Sequence, residues 1–253
     1  MPGTADTQGV QTDLALPAAL AAADEAGVKV AFHLEPYPGR SAETIHADLA
    51  DLERRFGAWR ALLRYGGGAR GRPVFYVYDS YHVPPHEWGR LLQPGGDLSV
   101  RGTSLDGFFI GLWAERGHGQ DLATGGFDGF YTYFASPGFT WGSTPSHWRE
   151  MVAFGTRARL RPTLSVGPGY DDTKIRPWNA ANTRPRRAGQ AYDDMFQAAL
   201  DAGADAVSVT SYNEWGEGTQ IEPAVPRRFP GLGSPPAGGG SLSAKREGAA
   251  AAA

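Results

Sequence analysis

Two hydrophobic periods alternate along this chain. Short, mostly apolar runs stand at Val28–His33, Pro73–Tyr78, Gly107–Leu112, Phe127–Thr132, Arg161–Ser165 and Ala206–Thr210. Their length and their β-branched and aromatic content read as strands. Between them the period lengthens to that of a helix. Ser41 stands as an N-cap before Ile45, Leu49, Leu52 and Phe56, which recur on one helical face. Tyr192, Met195, Phe196, Ala199 and Leu200 do the same before the last strand, and helices are also expected over Pro17–Ala26, Pro84–Leu92 and Pro145–Gly155. A short helical link joins the strands at Gly107 and Phe127. Strand and helix alternating in this order predict an α/β fold of parallel strands with crossover helices.

Six such strands are visible, where a closed (β/α)8 TIM-type barrel needs eight. Only 27 residues precede the first strand, and most of them read as tail or helix. After Glu222 the chain turns to Gly233-Ser-Pro-Pro-Ala-Gly-Gly-Gly240 and closes on an alanine run, a composition that buries too little apolar surface to fold. The expectation is therefore an incomplete barrel of about six βα units, lacking its first two units and its last helix. It spans residues 13–226, between a polar lead-in at 1–12 and a disordered tail at 227–253.

Composition narrows the class. With 253 residues and 41% hydrophobic content, one sizeable core is the default. The net charge of −3 argues against a nucleic-acid partner. Cysteine is absent, so neither a disulfide framework nor a thiolate metal site is expected. No apolar run is long enough for a membrane span. The first residues, Met1-Pro-Gly-Thr-Ala-Asp-Thr-Gln, lack the basic and apolar regions of a signal peptide.

The chemistry concentrates at strand ends. Glu214 and Glu217 stand three residues apart where the run at Ala206 gives way to a loop bent by Gly216 and Gly218. Acids at the carboxyl end of a strand lie where a barrel keeps its active site. Three extended residues reach roughly 10 Å at most, so the bent loop brings two carboxyl groups into the range that glycosidic cleavage uses. The other strand ends carry His33, Glu35 and Tyr37; Tyr78, Asp79 and Tyr81; Tyr131 and Tyr133; Tyr170; and Asn213 and Trp215. Aromatic rings with hydroxyl handles suit sugars, which present apolar C–H faces rimmed by hydroxyls. Arg176 and Trp178 join this set from a long loop after the strand at Arg161. His33 reads as a substrate contact or a core residue, and Glu35 as a substrate contact. No spacing suits a metal, and no cofactor is expected. Gly66-Gly-Gly-Ala-Arg-Gly71 matches a dinucleotide fingerprint in letters only, because it follows a helix and precedes a strand.

Taken together, Val30-Ala-Phe-His-Leu-Glu-Pro-Tyr37, Phe75-Tyr-Val-Tyr-Asp-Ser-Tyr81, Gly126-Phe-Asp-Gly-Phe-Tyr-Thr-Tyr-Phe134, Ser165-Val-Gly-Pro-Gly-Tyr170, Ile175-Arg-Pro-Trp-Asn179 and Thr210-Ser-Tyr-Asn-Glu-Trp-Gly-Glu-Gly-Thr-Gln-Ile-Glu222 resemble the endo-α-1,2-mannosidases of glycoside hydrolase family 99. The resemblance covers roughly residues 14–228. It implies a (β/α)8 barrel that cuts inside an α-mannosyl chain, with a mannose-containing oligosaccharide or glycoprotein glycan as partner. It also implies retention of configuration by an unusual route. Glu214 would remove the proton of the substrate 2-hydroxyl, whose oxygen attacks C1 to give a 1,2-anhydro sugar. Glu217 would protonate the leaving oxygen and then activate water, a role that asks for a raised pKa from burial beside Trp215 or Tyr133. Glu35 matches a substrate-binding acid and Tyr133 a tyrosine close to the acid/base. Animal members work in the Golgi behind a membrane anchor that has no counterpart here, and a bacterial relative would be secreted or periplasmic. Gly216 departs from the histidine usual in the family. Two other readings stay open: an inactive carbohydrate-binding remnant, and a barrel glycosidase for another α-linked polysaccharide.

Overall fold

A computed structural model of the chain describes residues 12–66 and 71–225. Most of the expected lead-in and all of the expected tail lie outside the described residues. Strands β1 (Phe32–Leu34), β3 (Arg72–Val77), β4 (Phe108–Leu112), β5 (Gly129–Tyr131), β6 (Arg161–Val166) and β7 (Ala206–Val209) pair in that order, every pair parallel. These are the six expected strands. A two-residue strand β2 (Arg64–Tyr65) adds antiparallel to the start of β3. Helices α1 (Leu16–Ala26), α2 (Ala42–Phe56), α3 (Pro85–Leu92), α4 (His118–Gly125), α5 (Trp148–Ala158) and α6 (Gln190–Ala202) lie between or before the strands. The result is a partial barrel.

The first strand starts later than its apolar run suggests. Val30 bonds through its N–H to the Ala61 carbonyl and through its carbonyl to the Leu63 N–H, so it pairs with the loop before β2 rather than with the sheet.

Alternation along each strand builds two cores. Phe32, Phe75, Val77, Phe109, Phe130, Leu164 and Val166 face the helices and pack with Leu49, Trp88, Leu122, Trp148 and Met151. Phe32, Phe75 and Phe109 are cross-strand neighbours whose rings stack at 5.9 and 5.2 Å. The intervening positions, Val74, Phe108, Ile110, Leu112 and Tyr131, form a second cluster on the barrel-interior side, against which Tyr76, Tyr78 and Tyr133 pack. Towards β7 the interior turns polar, and the Ser165 and Ser208 hydroxyls meet at 2.7 Å.

The helices form for local reasons. Ser41 caps α2 in a reciprocal box with Thr44, and Ile45, Leu49 and Phe56 are buried from its apolar face. At the amino-end rim, Asp128 accepts from Arg72, Arg101 and the Phe109 N–H, an ion cluster that holds β3, β4 and β5 together away from the site. All five residues of β4 are buried, whereas every residue of β7, at one end of the strand order, is at least partly exposed.

The two kinds of stabilisation differ in size. Trp148→Ala removes a fully buried ring from the helix-side core and is expected to destabilise by about 3–5 kcal/mol. Ser41→Ala removes only the cap and is expected to lose about 1 kcal/mol. Urea denaturation of both variants tests the ranking, and equal losses would contradict this account of the core.

Candidate active site

The loop after β7 carries the two acids and is tied back on itself. The Ser211 N–H donates to the Thr219 carbonyl at 3.1 Å, and the Ser211 and Thr219 hydroxyls meet at 2.8 Å. The Ser211 hydroxyl also accepts the Glu214 N–H at 2.9 Å, which fixes the Glu214 backbone at the mouth of the loop. Gly218 has φ +64, and a side chain there would press on the Asp171 backbone about 3 Å away. A glycine therefore allows this loop to lie against the loop after β6, where the Asp171 N–H donates to the Glu217 carbonyl at 2.9 Å. Arg186 adds donations to the carbonyls of Gly218 and Gln220.

Glu217 turns inward. Its Oε1 accepts from Arg176 Nη1 at 2.9 Å, and the same nitrogen lies 3.0 Å from Asp172 Oδ2. The Asp172 side chain is wholly buried. It also accepts from the Tyr170 hydroxyl at 2.9 Å and, through both oxygens, from Asn179 at 3.0 and 3.1 Å. Burial pushes the Asp172 carboxyl up, yet hydrogen bonds from Asn179, Arg176 and Tyr170 outweigh it and hold the group below the usual carboxylate range. Hydrogen bonds to Asp172, then to Glu217, raise the pKa of Arg176. A cleft of about 230 Å³ opens here, lined by Glu217, Arg176, Asn179, Tyr170, Tyr133, Tyr78, Phe134, Phe139, Ser136 and Thr219, among others.

The opposite side is built on β1, β3 and β5. His33 Nδ1 lies 2.7 Å from Glu35 Oε1 and Nε2 lies 2.8 Å from the Tyr131 hydroxyl. Tyr133 stacks on His33 at 5.7 Å and meets Tyr78 edge-on at 4.7 Å. Tyr133 and Asp79, each two residues past the end of its strand, lie in the left-handed region at φ +50 and +46. Such a conformation costs a non-glycine residue about 1–3 kcal/mol and persists where neighbours impose it. Thr210 donates to the Tyr133 carbonyl at 2.6 Å, and Arg40 to the Asp79 carbonyl. Tyr133 stands between the halves: burial foremost, then the charges of Glu217, Glu35, Glu214 and Asp79, push its hydroxyl up to about 12.

The cleft lining includes Glu217, Tyr133, Tyr78, Tyr170 and Arg176 from the expected set. His33, Glu35 and Glu214 lie close to the lining residue Tyr133, and Glu214 and Asn213 are exposed. Several other residues turn elsewhere. The Tyr37 hydroxyl bonds to Asp48 and Thr44 of α2. Tyr81 donates to Asp79 and stacks on His118, beside a small separate cavity under Trp88. Tyr131 is buried and holds His33 from behind. Trp178 projects almost wholly into solvent. Trp215 is half exposed and its indole N–H donates to Glu222; of the two rings expected beside Glu217, Tyr133 lines the cleft with it, together with the Arg176 guanidinium. Asp172, Asn179, Phe134 and Phe139 were not among the candidates. Asp172 follows Asp171, and nothing in the letters tells which of the two turns inward. Among the described residues no cluster of His, Cys, Asp and Glu suits a metal ion, and no helix is long and apolar enough to cross a membrane.

A parallel βα arc with a carboxylate-lined cleft on its carboxyl rim is the architecture of the barrel glycosidases. The chain belongs to glycosyl hydrolase family 99, whose family model matches residues 5–233. It is 46% identical over 230 residues to a human glycoprotein endo-alpha-1,2-mannosidase-like protein, covering 90% of this chain and 50% of that one. A rat glycoprotein endo-alpha-1,2-mannosidase is 44% identical over 228 residues, covering 90% and 49%. The chain thus spans about half the length of the curated relatives it matches. Among solved structures, the family 99 endo-alpha-mannosidase of Bacteroides thetaiotaomicron superposes with a TM-score of 0.81 at 44% identity, over 88% of this chain and 64% of that one.

The tyrosines give a pH test. Burial, aided by neighbouring carboxylates, pushes Tyr37, Tyr133 and Tyr170 up to about 12 from an ordinary 10.0. The unfolded chain releases these protons first, so the stability they carry is intact below about pH 10 and is lost as pH rises towards about 12. The urea midpoint is expected to fall across that window, and less steeply in Tyr133→Phe. A midpoint that stays flat over the same range would contradict the assignment.

Proposed function

We propose that this cleft hydrolyses internal α-1,2-mannosyl linkages of N-glycans or mannan, with retention of configuration through the substrate's own 2-hydroxyl. The observation that carries the reading is the acid loop after β7. Glu217 lines the cleft and the charge of Glu214 acts on Tyr133 in the same lining, and the loop is fastened at Ser211 and Thr219, in a chain of family 99.

In an α-mannoside the leaving group at C1 and the hydroxyl at C2 are both axial and on opposite faces. Glu214 takes the 2-hydroxyl proton as O2 attacks C1. Glu217 donates a proton to the departing oxygen, and a 1,2-anhydro sugar remains. Water then attacks C1, losing its proton to Glu217, while O2 leaves C1 and regains a proton from Glu214. Each carboxyl ends in the state in which it began. Tyr133, Tyr78 and Tyr170 offer the sugar ring faces and hydroxyl donors, while Glu35 and His33 offer partners for hydroxyls across the cleft. Asn213, Trp178 and Trp215 are exposed and would suit units of the chain beyond the scissile bond. A glycan substrate implies work in the Golgi lumen or, for a bacterial chain, outside the cytoplasm.

A second reading, sugar binding without turnover, is favoured by one observation. The sheet is an arc whose end strands β1 and β7 each pair on one side among the described residues, so the cleft is walled most fully by the units between them.

An assay on α-1,2-mannosyl oligosaccharides, run beside calorimetric binding, separates the two. Cleavage is expected, with kcat/KM falling by about 10²–10⁴ in each of Glu214→Gln and Glu217→Gln. Proton NMR should show the α anomer of the product first, and a 2-deoxy substrate should bind without reacting. Near-normal turnover by either variant, or the β anomer appearing first, would overturn the mechanism. Binding with no cleavage would establish the second reading.

A further inference from the structure

Asp172 is a wholly buried carboxylate beside an acid that must exchange protons. A buried charge persists only where its lone pairs are filled, and here Tyr170, Asn179 and Arg176 fill them. The third contact is different in kind, because one nitrogen, Arg176 Nη1, serves both Asp172 at 3.0 Å and Glu217 at 2.9 Å. That nitrogen has two hydrogens, one for each carboxylate. The guanidinium is therefore divided between two anions, one out of water's reach and one at the cleft wall.

We infer that Asp172 is a positioning residue that takes up part of the Arg176 charge and so moderates how firmly that guanidinium holds Glu217 in its ionised form. The inference rests on the reading of Glu217 as general acid, since an acid must be protonated before it acts. With Asp172 in place, Arg176 orients the Glu217 carboxyl without claiming it outright. Without that charge, Arg176 would belong to Glu217 alone, and the proton would be harder to keep. The other titratable groups that feel the charge of Glu217 are Tyr133, just past β5, and Tyr170 from the loop after β6, and Glu214 shares its loop. All three stay unchanged in the comparison.

The test reads the proton directly. The full chain is labelled with ¹³C at glutamate side-chain carboxyls, and the Glu217 signal is identified by its loss in Glu217→Gln. In Asp172→Asn the Glu217 midpoint is expected to fall by about 0.5–1 pH unit. In Arg176→Met it is expected to rise, and adding Asp172→Asn to that variant should lower it by less than half as much as in the unsubstituted chain. An unmoved midpoint, or an equal drop in both backgrounds, would overturn the inference. Should Asp172→Asn fail to fold, Arg176→Met alone decides, because a midpoint that does not rise removes the shared guanidinium from the argument. The readout is protonation, so it stands apart from whether the unsubstituted chain cleaves mannosides, which tests the proposed function.

Discussion

Parallel register is the constraint on which the rest of this molecule depends. Because β1 and β3 to β7 all run the same way, every strand delivers its last residues to one rim, and six loops of different sequence meet above one sheet. Alternation then sorts each strand into a helix-facing and an interior-facing set. The helix-facing set is close to pure hydrocarbon, with the stacked ladder Phe32, Phe75 and Phe109 at its centre. The interior set grades from Val74 and Ile110, which are buried among apolar neighbours, to His33, Tyr78 and Tyr133 at the rim. One repeating geometry thus supplies both the stability and the polar surface.

Putting carboxylates on such a rim raises a desolvation problem, and the structure meets it unequally. Asp172 is fully withdrawn from water and gathers three donors. Glu217 is part-buried and has one charged donor, which Asp172 shares. Glu214 is exposed, its backbone rather than its carboxylate held in place. The three acids therefore stand on a gradient from structural to chemical. The group that exchanges no proton in the proposed reaction is the one most completely satisfied, and the groups that do, Glu217 and Glu214, keep unfilled lone pairs.

Much of this was legible in the letters, and the misses have physical causes. Strand and helix placement follow from short apolar runs alternating with helical repeats, a pattern that predicts parallel strands with crossover helices. The two-residue β2 carries no period and so gives no signal, and the apolar Val28 and Val30 extend the first run ahead of the sheet without joining it. At the site, residue type picks out strand ends but cannot aim side chains. Of the two rings expected beside Glu217, Tyr133 lines the cleft with it, whereas the Trp215 indole N–H has a partner in Glu222 on the same loop. Tyr37 and Tyr81 are aromatic strand-end residues like Tyr133, yet each found a nearby carboxylate, Asp48 or Asp79, and turned to it. Asp172 had no signal, because what distinguishes it from Asp171 is burial, a property of the assembled loops.

The carboxylate loop stands on the strand with the least sheet support. β7 pairs with β6 alone among the described residues, and none of its residues is buried, whereas β4 is covered on both sides. Ladder hydrogen bonds on one side cannot by themselves fix the loop beyond the strand's last residue. The remaining constraint comes from above. Thr210 reaches across to the Tyr133 carbonyl, Arg186 holds two carbonyls of the loop, and Asp171 and Arg176 hold Glu217 by backbone and side chain. Gly167 makes the first of these contacts possible, since a side chain there would fall 2.7 Å from the Thr210 carbonyl and 2.6 Å from Ala135. The geometry of the acids is thus set by cross-links to the ends of β5 and β6, strands paired on both sides. A weak edge can carry a well-defined site when its loop is fastened to stronger neighbours.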